Sequence, residues 1–188
     1  MVSSDLTPTN LAILSEETME TSKYQKYINR ALRLGAKEVK LITADTVVTA
    51  QWVRAKCQFG CGGYGKSLTC PPNSPTPEET QRMVNAYQHA LLIHGDENTP
   101  VNRIVVRLEK RMFLDGYEKA FGMGGGPCSL CEECVDSPGL CRYPEEARPS
   151  MEACGIDVFS TVKAHGFPIK VLKDENCEPN YYGLVLIE

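Results

Sequence analysis

Long apolar runs are missing from this sequence. Nowhere in its 188 residues do the roughly 18 consecutive apolar side chains needed to cross a bilayer occur. A basic surplus is missing too. Twenty Lys and Arg stand against 24 Asp and Glu, for a formal net charge of -4, whereas a chain that grips nucleic-acid phosphates normally carries excess positive charge. No membrane and no nucleic-acid partner is therefore expected. Residues 1–22, MVSSDLTPTNLAILSEETMETS, have neither the cationic start nor the apolar centre of a secretory leader. They are expected to form a mobile or loosely docked tail on a cytoplasmic protein, with residues 23–188 as one domain. Histidine is scarce, and His89, His94 and His165 lie apart from one another. A lone His in an apolar strand reads as a core or surface residue, not as a metal ligand.

Cysteine, by contrast, is abundant. Nine occur, at 57, 61, 70, 128, 131, 134, 141, 154 and 177. An odd count without an export signal argues against a disulfide framework, and in a reducing compartment such clustering points to metal ligation.

Between the cysteine groups the patterning is that of an α/β domain. Apolar residues at 24, 27, 28, 31, 32 and 34 predict a helix over 23–34 that stops at Gly35. Residues 38–43 (EVKLIT) and 89–95 (HALLIHG) predict strands. Residues 45–56 carry both signals, Asp45 as a helix cap and the run Thr46–Thr49 favouring strand. Thr76, Pro77 and Glu79 mark a helix start for residues 76–88. Spacings of three and four predict one long helix over 101–121 ending at Gly122, and another helix over 149–164. Strands over 168–172 and 181–187, joined by DENCEPN, would close a hairpin. The whole predicts an α/β fold, a mixed sheet with helices, into which the cysteine-rich loops 57–72 and 122–154 are inserted.

The stretch Gly60–Ser67, GCGGYGKS, matches the phosphate-loop pattern G-x-x-x-x-G-K-[ST]. A working phosphate loop needs a helix that opens at the Lys-Ser. Here Pro71 and Pro72 follow within five residues of Ser67 and stop any such helix in its first turn. This run and Gly122–Gly126 are read instead as backbone that approaches an inorganic centre closely and donates N–H groups to sulfur.

Cys128, Cys131 and Cys134 form C-x2-C-x2-C, and Cys141-Arg142-Tyr143-Pro144 follows after six residues. Three thiolates at this interval wrap one face of a cubane iron–sulfur cluster, although the last spacer is longer than in the bacterial ferredoxin run. Structural zinc more often shows two C-x2-C pairs or Cys with His. Cys57, Cys61 and Cys70 form C-x3-C-x8-C-P-P with four glycines between them. Cys154 closes either group, and Cys177, in a turn, reads as a bystander. Lys56, Lys66, Arg142 and Arg148 stand beside the loops and offset part of the thiolate charge, or are ordinary solvated charges. Glu132, Glu133 and Asp136 read as solvated loop charges and not as an acid–base pair.

The runs KCQFGCGGYGKSLTCPP and GGGPCSLCEECVDSPGLCRYPEEARPSMEACGIDV resemble the prokaryotic DUF2284 family of predicted metal-binding proteins, from about Thr46 onward. The resemblance implies a metal or iron–sulfur centre on Cys57, Cys61, Cys70, Cys128, Cys131, Cys134, Cys141 and Cys154, and implies no particular reaction. The resulting expectation is two 4Fe–4S clusters that pass electrons to or from a redox partner protein. One would sit on Cys128, Cys131, Cys134 and Cys141, the other on Cys57, Cys61, Cys70 and Cys154, with an exchange of ligands between them left open. The alternatives are an enzyme with an open iron site for a small substrate and a zinc-stabilised interaction module. Homodimerisation is left open.

Overall fold

The computed structural model describes residues 8–135, 139–174 and 176–188, with side chains from residue 21 onward. Residues 1–7 of the tail expected over 1–22, and Asp136, fall outside the described residues.

Among the described residues, five α-helices and four strands follow one another: α1 (Pro8–Arg33), β1 (Glu38–Thr43), α2 (Gln51–Gly60), α3 (Pro77–Val84), β2 (His89–Gly95), α4 (Val101–Leu114), β3 (Phe121–Met123), α5 (Val158–Ala164) and β4 (Tyr181–Leu186). The α/β architecture is the expected one. The sheet runs β1-β2-β4-β3, and its ladders are all antiparallel. Parallel pairing is confined to an isolated bridge between Gly124 and Ser150.

β2 lies inside the sheet, and its centre, Ala90–Ile93, is apolar because both of its faces are covered. Side chains alternate across a strand. Leu91 and Ile93 therefore enter one core with Tyr24, Tyr27, Ile28 and Ala31 of α1 and Ile104, Val105, Leu108 and Met112 of α4. Ala90 and Leu92 enter the other, with Met123, Met151, Cys154, Ile156, Val162, Leu184 and Leu186. Gly183 on β4 lets α4 approach: a Cβ there would lie 2.7 Å from Val101 and 2.8 Å from Val105. No helix among the described residues is long and apolar enough to cross a membrane.

The expected helix over 23–34 is the last part of α1, whose backbone is helical from Pro8. β1 and β2 match their expected bounds. α3 opens with the expected capping box. The Glu79 N–H donates to Thr76 Oγ1 at 3.3 Å, and the Thr76 N–H donates to Glu79 Oε2 at 2.8 Å. The double signal over 45–56 resolves into both structures. A bridge at Thr49 to Ile156 is followed by α2, which starts at Gln51.

Four expectations are corrected. α4 ends at Leu114 because Gly116 turns the chain at φ +97° and Asp115 is held by Lys26, Tyr27 and Arg111, each at 2.8 Å. Residues 121–123 then form β3. The expected helix over 149–164 is broken by Gly155 at φ +76°. A short 3-10 turn, Glu152–Cys154, precedes it, and Asp157 caps α5 by accepting from the Ser160 N–H at 3.0 Å. Residues 168–172 form no strand. There Phe167 and Ile169 pack into the core and the Tyr182 hydroxyl donates to the Pro168 carbonyl. β4 accordingly pairs with β2 and β3 in place of a hairpin neighbour.

Gly155 also faces α3: a Cβ there would lie 2.5 Å from Pro77 Cγ. Gly155→Ala is expected to cost roughly 1–3 kcal/mol, since it adds left-handed strain to a steric clash. Gly62→Ala has a φ outside the left-handed region and open space around its Cβ, and should stay within about 0.5 kcal/mol of the parent. Urea unfolding of the two variants, followed by circular dichroism, checks the contrast.

Candidate metal centre

The first cysteine group is built on the end of α2. Cys57 lies in the last helical turn and Cys61 is the C-terminal cap, so the i, i+4 spacing stacks them on one helix face. The Cys57 thiol donates to the Glu152 carbonyl at 3.9 Å. The Gly63 N–H donates to Cys61 Sγ at 3.4 Å, the kind of backbone-to-sulfur contact expected of this glycine run. Successive turns bring the chain round to Cys70. Gly65 N–H donates to the Pro71 carbonyl at 2.8 Å, and Cys70 N–H to the Ser67 carbonyl at 3.1 Å. A helix precedes the GCGGYGKS stretch and turns follow it. Lys66 and Ser67 therefore open no helix, and the phosphate-loop pattern is a coincidence of composition.

The second group sits on a loop clamped at its base. Gly124 N–H donates to the Pro149 carbonyl and Met151 N–H to the Gly124 carbonyl, both at 2.9 Å. Glu109 on α4 accepts from the Gly122 N–H at 2.8 Å and from Arg148 twice, at 2.7 Å from Nε and 2.5 Å from Nη2. Asn102 Oδ1 accepts from the Gly125 N–H at 2.8 Å. Three N–H groups of the Gly122–Gly126 run are thus committed to protein oxygens. This corrects the expectation that the run donates to sulfur. Its glycines are needed for clearance: a Cβ on Gly124 would lie 1.9 Å from Asn102 Oδ1, and one on Gly125 would lie 2.9 Å from the Tyr182 carbonyl oxygen. Higher in the loop, Arg142 Nη1 donates to the Glu133 carbonyl at 3.0 Å, tying the Cys134 end to the Cys141 end.

The two groups approach each other at Cys70 and Cys128. Burial pushes the Cys57 thiol up, with Cys61, Glu152 and Cys70 adding to the rise and Arg54 opposing it. Burial also raises Cys70, opposed by the Ser67 and Thr69 hydroxyls, and both Cys61 and Cys128 add to it. Cys57, Cys61 and Cys70 are therefore electrostatic neighbours, and Cys128 of the second loop reaches the same group through Cys70. All nine thiols are free, and Cys57, Cys70, Cys128, Cys131, Cys134 and Cys141 are half-buried while Cys61 is exposed. Among the described residues, no three cysteine, histidine or carboxylate side chains are gathered closely enough to close on a single metal ion.

Cys154 stands apart. It is fully buried in the apolar core beside Met151 and Ile156, and burial pushes its thiol up to about 12. Cys177 lies in a turn after Asp174, to whose Oδ1 its thiol donates at 3.7 Å. The histidines have other partners: His94 bonds Asn180 at 2.8 Å and stacks on Tyr182, His165 bonds Thr46 at 2.8 Å, and His89 packs against the Tyr24 ring. A groove of about 910 Å³ runs along α4, with Cys128, Leu130 and Arg148 in its opposite wall and Arg103, Arg107 and Phe113 on the helix side.

Sequence reasoning missed Arg54, Ser74, Asn102 and Glu109. Arg54 was readable in principle, because R-x2-C-x3-C places it on the same face as Cys57 and Cys61 once α2 is helical. Glu109 was not, since only the fold brings it to Gly122 and Arg148. The donor set as a whole is thiol-only, and soft thiolates select zinc or iron–sulfur centres over hard cations.

The family model for predicted metal-binding protein DUF2284 matches residues 40–187, and the chain belongs to this family. No curated protein and no solved structure matches it.

Two tests follow from the placement of Cys154. In native, metal-free protein, iodoacetamide should modify the accessible Cys61 and Cys177 early and leave Cys154 unmodified until urea unfolds the chain, as read by peptide mass spectrometry. Because the folded pKa of Cys154 is raised, from an ordinary 9.0 to about 12, its contribution to stability is present below about pH 9 and is lost as pH rises toward about 12. Urea midpoints measured across that window should fall with pH, and Cys154→Val should remove part of the fall.

Proposed function

We propose that the chain is a cytoplasmic iron–sulfur protein that holds two 4Fe–4S clusters on its cysteine loops and exchanges single electrons with a partner redox protein. The observation that carries this reading is the meeting of the two loops, in which Cys70 and Cys128 are electrostatic neighbours within a thiol-only set. The ligands are Cys57, Cys61, Cys70, Cys128, Cys131, Cys134, Cys141 and Cys154. Such clusters supply one-electron redox chemistry at a potential set by charge, hydrogen bonds to sulfur and exposure. The protein's own contribution is to hold the loops in place from below, through α2 on one side and the Glu109 clamp on the other, and to direct the Gly63 N–H at Cys61 Sγ. The link from Cys70 to Cys128 favours an exchange of ligands between loops over one cluster per loop. Phe59, 83% exposed, and Trp52, 51% exposed, stand on α2 beside the first loop, an apolar surface suited to a partner protein or a second copy of the chain.

Two observations favour a second reading, an iron–sulfur enzyme with an open iron. Cys154 is sealed in the core, which would leave seven accessible thiolates. The groove along α4 also reaches Cys128, where a small substrate would meet a centre. A zinc-stabilised module is the third reading, and it predicts a colourless protein.

Iron, zinc and acid-labile sulfide per chain on anaerobically purified protein separate the three. About eight iron and eight sulfide with a broad brown absorption are expected for two cubanes. Cys70→Ser should lower the iron content. Cys154→Ser should also lower it if all eight cysteines ligate, and an unchanged iron content in that variant would favour the open-site enzyme. Stoichiometric zinc without sulfide, from cells grown with ample iron, would sink both redox readings.

A further inference from the structure

Arg54 lies one turn before Cys57 on α2, and its guanidinium is turned inward. Nη1 donates to Ser74 Oγ at 3.1 Å and to the Ala153 carbonyl at 3.4 Å, and Nη2 donates to the Ser74 carbonyl at 3.0 Å. Ser74, 6% exposed, donates in turn to the Ala153 carbonyl at 2.6 Å. One side chain thus joins three segments: the helix bearing Cys57, the end of the Cys-Pro-Pro loop, and the turn bearing Cys154.

All of these acceptors are neutral oxygens. Among the described residues no carboxylate forms an ion pair with Arg54. Glu79, the one carboxylate that it draws down electrostatically, is committed to Thr76 in the capping box of α3. A half-buried cation satisfied only by neutral dipoles has its charge uncompensated, and burial makes that costly. The groups beside it that could become anionic are the cysteines: Cys57 lies one turn on along the same face of α2, and Cys154 follows Ala153, whose carbonyl accepts from Arg54 Nη1 at 3.4 Å. Four thiolates around Zn²⁺ or around an oxidised cubane core carry about -2 in either case. The charge to be offset is therefore the same for either metal.

We propose that Arg54 is the built-in counter-ion of the metal centre on the first cysteine loop, a positioning residue whose charge stabilises the bound, thiolate-ligated state. The inference rests on metal binding by the first loop, and not on electron transfer. Lys66, which sequence reasoning placed in this role, is exposed on the loop surface.

The test is titration of the full chain with Co²⁺ alone, read by thiolate-to-cobalt absorption and by chelator competition. Wild type is compared with Arg54→Met, Arg54→Lys, Ser74→Ala and Lys66→Met. Arg54→Met should weaken cobalt binding roughly tenfold or more, as loss of an outer-shell partner typically does. Arg54→Lys, which keeps the charge but loses the fork, should recover most of the affinity. Ser74→Ala should lower the melting temperature while keeping affinity within a few-fold, so that a pure folding defect is told apart from lost charge. Lys66→Met should bind as wild type does. In iron–sulfur-loaded protein, Arg54→Met should shift the midpoint potential downward, because a removed positive charge favours the oxidised state, and Arg54→Lys should not.

Arg54→Met binding cobalt as tightly as wild type would overturn the proposal. So would Arg54→Lys failing as badly as Arg54→Met, which would make Arg54 a clasp alone. Cobalt bound by wild type in a protein that never takes up iron and sulfide would refute the electron carrier and leave the Arg54 prediction standing. No cobalt uptake by wild type would refute metal binding by the loop and this inference with it.

Discussion

β2 has to be covered on both faces, and the way its second face is covered ties the stability of the fold to the cysteine loops. An antiparallel strand with Ala90, Leu91, Leu92 and Ile93 all buried cannot leave either face to water. α1 and α4 cover one side with a conventional helical layer. The other side has only the short helices α3 and α5, and the gap between them is filled by Met123, Met151, Cys154 and Ile156. These residues flank the second cysteine loop or lie just beyond it. Burial of four such side chains is worth several kcal/mol. The ends of the loop are thus held as core, while its tip, with Cys131, Cys134 and Cys141, remains accessible.

The same logic explains why the clamps are polar and aimed at backbone. The 23 residues between Gly124 and Arg148 carry a large conformational entropy unless their ends are pinned. Glu109 pins them by accepting from Gly122 on one side and Arg148 on the other, and Asn102 adds the contact to Gly125. Glu109 and Arg148 are only 13% and 18% exposed at the side chain, so their bidentate pair is worth more than a surface ion pair. Loss of either partner would strand a mostly buried charge. The glycines next to the pair are there for clearance, which gives the second glycine run a packing role distinct from that of the first.

How much of this could be read from the chain depended on the distance over which each signal acts. Local signals were legible. The capping box at Thr76 and Glu79, the mostly apolar strand HALLIHG and the proline stop after Ser67 each involve a few neighbouring residues, and each is present in the fold. Signals that depend on competition between neighbours were misread. Tyr117 and Phe121 continue the period of α4, but Gly116 and the three partners of Asp115 end the helix first. Gly155 and Asp157 were stop and start signals inside a window read as one helix. β3 has three residues, one of them glycine, and offers no alternation to detect. Of the cysteine loops, the two groups and their spacing were legible, because spacing is local. The approach of Cys128 to Cys70 and the burial of Cys154 were not, because both depend on contacts between segments far apart in the chain.

Arg54 shows what that packing accomplishes. The four cations nearest the loops in sequence are Lys56, Lys66, Arg142 and Arg148, and proximity along the chain made them the natural counter-ions. In the fold, Arg148 is spent on Glu109 and Arg142 on the Glu133 carbonyl, while Lys56 and Lys66 are exposed, where solvent and salt screen their charge. A cation held away from water by neutral oxygens keeps much more of its field. In a protein whose formal charge is already -4, further negative centres on the loops would repel the rest of the surface. One half-buried guanidinium a turn before Cys57 on α2 is therefore better placed to offset that repulsion than several fully solvated ones.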